Sequence, residues 1–376
     1  MKHIVSTFVF ILLLCCACRS TTDNATSLAS HYNAYAKGFV LEDFGGYIRM
    51  DLYSPWNLSQ RMGRYYLLRP GNALPDSLTE ELQNDDTWSI PIPIKRLVTT
   101  SCTQVGFMDA LCQKHTIVGA CNAEMVYTPL PKACISLGEA LNPSYERIIR
   151  SQPDAIMLST YAEGDPVQQQ LLKFNQTIVY NNEWMESHPL GRAEWIRVVG
   201  ALYDQLPMAD SIFAQAREMY ESRKVQVLQY LSTHTQRSIM SGQDFRGTWY
   251  VPSGDTYMGT FFADAGAHYY YADDKRGKSI PLSTEQVIRE FGETDVWVGC
   301  NADSREALQL LDNKHQWFNA WKNDEVYNFN RQRTTHGGNN FWEQGVVYPH
   351  LVLEDLIEIL YPELLEHDLN YCVKLK

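Results

Sequence analysis

Residues 154–158 read Asp154-Ala155-Ile156-Met157-Leu158, an apolar run without polar alternation and too short for a helix. Such a run is a strand buried on both faces. It has company: Arg96-Leu97-Val98-Thr99-Thr100, Ile117-Val118-Gly119 and Thr177-Ile178-Val179-Tyr180 repeat the pattern. Helical stretches lie between them, one opening at Ser101 and one over Ser144–Ser151, stopped by Pro153. Short buried strands alternating with helices predict a parallel sheet with helices on both sides. A second set follows at Ser238-Ile239-Met240, Val296-Trp297-Val298 and Val326-Tyr327-Asn328-Phe329, with an amphipathic helix expected over Tyr348–Leu365.

Between the sets, Trp195, Val198, Val199, Leu202, Leu206, Ile212, Ala216 and Tyr220 recur at helical spacing, with Pro207 the one strong breaker. Ahead of both sets, Tyr47-Ile48-Arg49-Met50 and Arg64-Tyr65-Tyr66-Leu67-Leu68 alternate like strands. The expected fold class is therefore α/β, two lobes with central parallel sheets joined by a long interlobe helix, preceded by a β-rich extension. The boundaries fall at 31–93 for the extension, 94–186 for the N-terminal lobe, 187–235 for the interlobe helix and 236–376 for the C-terminal lobe.

The first residues read as an address. Lys2 precedes the apolar stretch Ile4–Leu14, which is too short for a permanent span. Small residues then lead to Cys18, in an order similar to a lipobox, so 1–17 is expected to be a signal peptide and Cys18 the lipidated residue. Cys15 or Cys16 are alternatives, as is a plain secretory leader cleaved near Ala17. Residues 18–30 read as a tether. The chain is thus expected in the periplasm, held to the membrane only by its lipid. The net charge of −12 argues against nucleic acid as a partner. Six cysteines remain in the body, without a C-x-x-C, and Cys121–Cys134 is the first pair to consider for a bridge.

The two sets echo each other. Pro143-Ser144-Tyr145-Glu146-Arg147-Ile148 precedes the Asp154 strand, and Leu282-Ser283-Thr284-Glu285-Gln286-Val287 precedes the Asp295 strand. With Arg96–Thr100, Val118-Gly119 and Gln152-Pro153-Asp154, this order resembles the substrate-binding lipoproteins of ABC importers for iron complexes and vitamin B12, over roughly 94–365. The resemblance implies a class III periplasmic-binding fold. It implies a ligand held between the lobes, an iron chelate (ferric siderophore or heme) or a corrinoid, and delivery to a permease–ATPase complex. Glu146 and Glu285 match the two glutamates that this family presents to arginine pockets of the permease. Two equivalent carboxylates, one per lobe, suit a symmetric permease pair. A monomer is expected, with no resident cofactor. The B12 binders carry a Trp shortly before each docking Glu; Ser136-Leu137-Gly138-Glu139 and Ser279-Ile280-Pro281 have none.

Ligands of open α/β sheets lie beyond the carboxyl ends of the strands. The candidates there are Thr100, Ser101, Cys102, Glu124, Tyr127, Tyr161 and Trp184 in the first lobe, and Arg246, Trp249, Tyr257, Asn340 and Trp342 in the second. This set is rich in aromatic and amide groups, as a large organic-sheathed ligand requires. Arg246, Arg331 and Arg333 could face an anionic chelate. Tyr161, Tyr257 and His336 are the axial candidates for a heme. The body histidines are scattered without ligand-like spacing, so a bare metal ion fits poorly. Two other readings stay open. One is an exported hydrolase using Ser101 or Cys102 at a helix start; the other is a surface scaffold lipoprotein.

Overall fold

The computed structural model describes residues 29–31, 33–300, 302–365 and 368–376. The leader and Cys18 lie outside the described residues.

The extension is a five-stranded sheet. Ala29–His31, Phe39–Asp43, Tyr47–Tyr53 and Arg61–Leu68 run antiparallel, and Thr87–Pro91 joins parallel to the fourth. Its first strand begins inside the stretch expected to be tether. Leu41, Ile48, Met50, Leu52, Tyr65 and Leu67 form its buried side. Two carboxylates of the hinge, the segment 183–194 where the first lobe passes into the interlobe tract, fix the sheet in place. Glu194, fully buried, accepts the backbone N–H groups of Ala34, Tyr35 and Ala36 at 2.8–2.9 Å. Glu186 Oε1 accepts those of Lys37 and Gly38 at 2.8 and 2.9 Å, and Trp195 Nε1 at 3.1 Å. Arg69 adds a bridge from Asp43 to Asp204.

The N-terminal lobe has a wholly parallel sheet in the order 178–180, 155–158, 97–99, 117–120, 135–136. The Asp154 strand sits inside it, with all four residues of Ala155–Leu158 buried. The second lobe pairs Ile239–Ser241, Val296–Val298 and Val326–Asn328 in parallel, with Val373–Lys374 antiparallel at the edge. A separate antiparallel ribbon, Asp244–Phe245, Thr248–Pro252 and Ser279–Leu282, flanks it.

The interlobe tract is three helices, not one: Pro189–Glu194, Ile196–Leu202 and Leu206–Leu231. The last break has a local cause: Asp204 adopts a left-handed φ of 54°, and Pro207 sits in the first turn of the next helix, where its missing N–H costs nothing. The 26-residue helix is about 39 Å long. It buries Ala209, Phe213, Ala216, Tyr220 and Val227 and packs on Pro349–Leu360. That terminal helix is a core helix, buried nearly all round, and ends before Tyr361, the residue preceding Pro362.

Two predictions follow from this packing. Glu194→Ala leaves three backbone N–H donors without their acceptor and removes one partner of Arg197, so it should cost roughly 3–5 kcal/mol in a urea unfolding measurement; Glu194→Gln, which keeps one acceptor oxygen, should cost less. Burial lowers the pKa of His188, His315 and His350 below 6.5. The unfolded chain then binds more protons below that pH, so this share of stability is present above about 6.5 and lost on acidification. Melting temperature should fall between pH 7.5 and 5.5, and a flat profile would contradict the buried neutral state.

Candidate functional site

The lobes meet through the segment that follows strand Val326–Asn328. Its Gly338 lies so near the first lobe that a Cβ would be 2.7 Å from the Val126 carbonyl oxygen. Gly106 of helix Cys102–Ala110 is equally constrained, since a Cβ there would be 2.6 Å from the Glu343 carbonyl oxygen. The Glu343 side chain is buried and accepts the N–H groups of Tyr127 and of Thr128, the latter at 2.9 Å. Burial raises its pKa, against the pull of those donors. Gln344 Nε2 donates to Asp109 at 3.0 Å.

Beside this contact lies a hollow of about 490 Å³, lined by Met125 of the first lobe and by Phe329, Asn330, Arg333, Asn339 and Trp342 of the second. It opens at the carboxyl ends of strands 296–298 and 326–328. The Phe329 ring stacks on Phe341 at 4.5 Å, and Trp342 meets Phe341 edge-on at 4.6 Å. Asn330 Nδ2 donates to Asp303, while its buried Oδ1 has no partner among the described residues. Arg333 is paired with Asp303 at 2.8 Å. The walls are aromatic, thioether and amide, with one half-exposed guanidinium, that of Arg333, among them.

A second group sits at the hinge. The Arg192 guanidinium lies 4.4 Å over the Tyr257 ring and 3.7 Å from Glu183 Oε1. Burial raises the Glu183 pKa, opposed by Arg192. Glu183 Oε2, Arg192 Nε and the Tyr257 hydroxyl lack partners among the described residues. Tyr161, largely exposed, and Trp184 face each other at 5.7 Å on the adjacent loops.

The sequence candidates separate accordingly. Trp342 lines the hollow, and Glu124 is exposed next to Met125. Tyr127 serves the lobe contact through its backbone. Tyr161 and Trp184 sit together on the strand-end loops, and Tyr257 belongs to the hinge group. Thr100 is a buried tie, donating to the Met157 carbonyl and accepting from Ser159 N–H. Ser101 caps helix Cys102–Ala110 and shares a capping box with Gln104. Asn340 is buried, donating to Gln332 and accepting from Gln344 N–H. Arg246 is exposed on the ribbon turn, over the Phe245 ring.

Trp249 is a correction: it is fully buried among Trp297, His315 and Phe318, donating to the Ser241 carbonyl, so it cannot touch a cleft ligand. Cys102 is a poor nucleophile, because burial pushes its thiol up to about 12. Cys121 and Cys134 are both free, so the bridge considered between them is absent. Met125, Phe329, Asn330, Arg192 and Glu343 were missed. The one local signal near them is the adjacent pair Gly337-Gly338, which admits a close approach of backbones. No cluster of three or more His, Cys, Asp or Glu fit to hold a metal occurs among the described residues, and no helix there is long and apolar enough to cross a membrane.

Glu146 and Glu285 occupy matching places, each in the first turn of a helix capped by a Ser, Ser144 and Ser283. Their side chains are 82% and 76% exposed. Glu146 pairs with Arg150 at 2.7 Å, and Glu285 lies 3.8 Å from Lys314.

The chain is 23% identical over 317 residues to an uncharacterized lipoprotein of Methanocaldococcus jannaschii, covering 80% of this chain and 73% of that one. A second uncharacterized lipoprotein of the same organism is 24% identical over 349 residues, covering 86% and 85%. Among solved structures, a periplasmic heme binding protein from Pseudomonas aeruginosa superposes with a TM-score of 0.56 at 15% identity, covering 72% of this chain and 94% of that one. The Staphylococcus aureus protein IsdE complexed with heme gives 0.53 at 17%, covering 71% and 98%. The vitamin B12 binding protein BtuF of Vibrio cholerae gives 0.52 at 14%, covering 71% and 96%. The family model for periplasmic binding proteins matches residues 97–332. With two lobes, parallel sheets and a cleft at their carboxyl ends, the chain belongs to the periplasmic binding protein family.

Proposed function

We propose that this protein is the substrate-binding component of an ABC importer, capturing an iron chelate or corrinoid between its lobes and passing it to a permease. The observation that carries the reading is the hollow at the strand ends, whose volume of about 490 Å³ is within the range of small-molecule sites. Its aromatic and thioether walls suit the apolar face of an organic-sheathed metal. The partnerless Asn330 Oδ1 offers one directed acceptor, since a buried polar atom left unpaired gains from a ligand donor. The Arg333–Asp303 pair is exposed and exchangeable at little cost, so the guanidinium can turn to an anionic group of the ligand.

Lipid attachment at Cys18 would hold the receptor at the membrane, as the names of the two lipoprotein relatives suggest for them. Glu146 and Glu285 would then dock onto permease arginines. Both carboxylates are exposed, one per lobe, and their surface ion pairs are exchangeable at little cost.

Fluorescence titration of the chain with hemin, cyanocobalamin and ferric siderophores should show saturable quenching by one of them, with a rise in melting temperature. Trp342→Ala should weaken that binding by about tenfold or more, the value of a large aromatic contact. Silence across the whole panel would overturn the reading. Glu146→Ala combined with Glu285→Ala should abolish uptake by cells while leaving affinity intact; a collapse of affinity in the double variant would sink the docking role.

A further inference from the structure

The superposed neighbours are covered almost completely by 71–72% of this chain, and the family match begins only at residue 97. The sheet of residues 29–91 is therefore an addition to the shared fold. One part of it stands over the loops that follow two strands of the first lobe. Between strands Tyr47–Tyr53 and Arg61–Leu68 the chain forms an arch, Ser54–Gln60, closed by Ser54 N–H donating to the Gln60 carbonyl at 2.8 Å. Asn57 N–H donates to the Ser54 carbonyl, and Gln60 N–H to the Asn57 carbonyl, at 3.2 and 2.8 Å.

A hollow lies on each side of this arch. The first, about 200 Å³, separates Tyr53, Pro55 and Leu58 from Asn182, Met185 and Ser187. The second, about 350 Å³, separates Trp56 and Gln60 from Ala162, Glu163 and Gln168. The facing residues all belong to the loops and helix after strands Ala155–Leu158 and Ile178–Tyr180. They stand at the carboxyl edge of the parallel sheet, where ligands of such sheets bind.

We propose that the Ser54–Gln60 arch forms an outer subsite of the ligand cleft, which takes a carbonyl- or carboxamide-tipped arm of the bound chelate. This rests on the receptor reading above. The first hollow is smaller than the roughly 300 Å³ at which whole-ligand sites begin, so it suits a substituent and not a complete chelate. Leu58 is 47% exposed and Met185 36%, which leaves apolar surface for the shaft of an arm. Among the lining residues, Asn182 has its Oδ1 occupied by the N–H and hydroxyl of Thr160. Its Nδ2 donates to the Met62 sulfur at 3.7 Å, a weak acceptor. A carbonyl oxygen arriving in the hollow is a stronger one. The base of the arch is tied to the lobe: Tyr53 N–H donates to the Gly38 carbonyl at 2.8 Å, and the Gly38 N–H is held by Glu186, which borders the hollow.

The test uses the full chain with cyanocobalamin and ferrichrome, two chelates that carry amide carbonyls. Leu58→Asp places a charge where the shaft would lie, on a residue exposed enough to leave folding intact, which a thermal melt checks. Leu310→Asp makes the same change at an exposed leucine on helix Arg305–Leu311, outside the hollows, and serves as the control. For whichever probe the parent chain binds, Leu58→Asp should weaken binding by about tenfold or more, while Leu310→Asp should match the parent. Parental affinity in Leu58→Asp would overturn the subsite and leave the receptor reading standing. Failure of the parent chain itself to bind either probe would overturn an amide-bearing ligand, and the subsite with it.

Discussion

Glu343 joins the two halves of this molecule. Its carboxylate is fully buried and satisfied by the N–H groups of Tyr127 and Thr128 on the opposite lobe. Hydrogen bonds to a charged acceptor contribute about 1.5–3 kcal/mol each, and leaving the group unpaired would cost its full desolvation. The contact is only made because Gly338 and Gly106 let the backbones approach without a Cβ between them. Everything in the cleft inherits its geometry from this join. Met125 stands three residues from Thr128 and Trp342 is adjacent to Glu343, so the two walls of the hollow are set by the same pair of hydrogen bonds.

The extension is held by the same device used in reverse. There the backbone N–H groups belong to residues 34–38, and the carboxylates of Glu186 and Glu194 come from the hinge side. A carboxylate offered to consecutive N–H groups fixes direction as well as distance, so a sheet with its own apolar side becomes a rigid part of the first lobe. Its arch overhangs the strand ends because the hinge-side carboxylates hold it there.

Much of the fold was legible. Runs such as Asp154–Leu158 and Val296–Val298 have no polar alternation, and only a sheet covered on both faces accommodates them. The alternating 47–50 and 64–68 segments announced a sheet with one buried side. The interlobe tract was harder, since helical spacing continues through Tyr203 and Asp204 even though the backbone turns there. The antiparallel ribbon at 244–252 and 279–282 was not anticipated: Arg246 and Trp249 were read as strand-end loop, because the strands are short and the partner strand lies about 30 residues on. The site was least legible. Trp249 and Trp342 are both aromatic residues near strand ends, and nothing local distinguishes them. His315 and Phe318 close over one, and the lobe gap leaves the other half-open.

The sequence by itself determined two buried parallel sheets, a helical tract between them, an added sheet in front and a Ser-capped glutamate in each lobe. These follow from local periodicity and capping, which act over a few residues. Only the tertiary structure decided which strand-end side chains face the cleft, that the Cys102 thiol is desolvated, and that Arg192 lies over Tyr257. The reason is distance along the chain: Glu343 and Thr128 are 215 residues apart. A contact of that separation leaves no periodic trace on either side, so its partners appear only once the chain has folded.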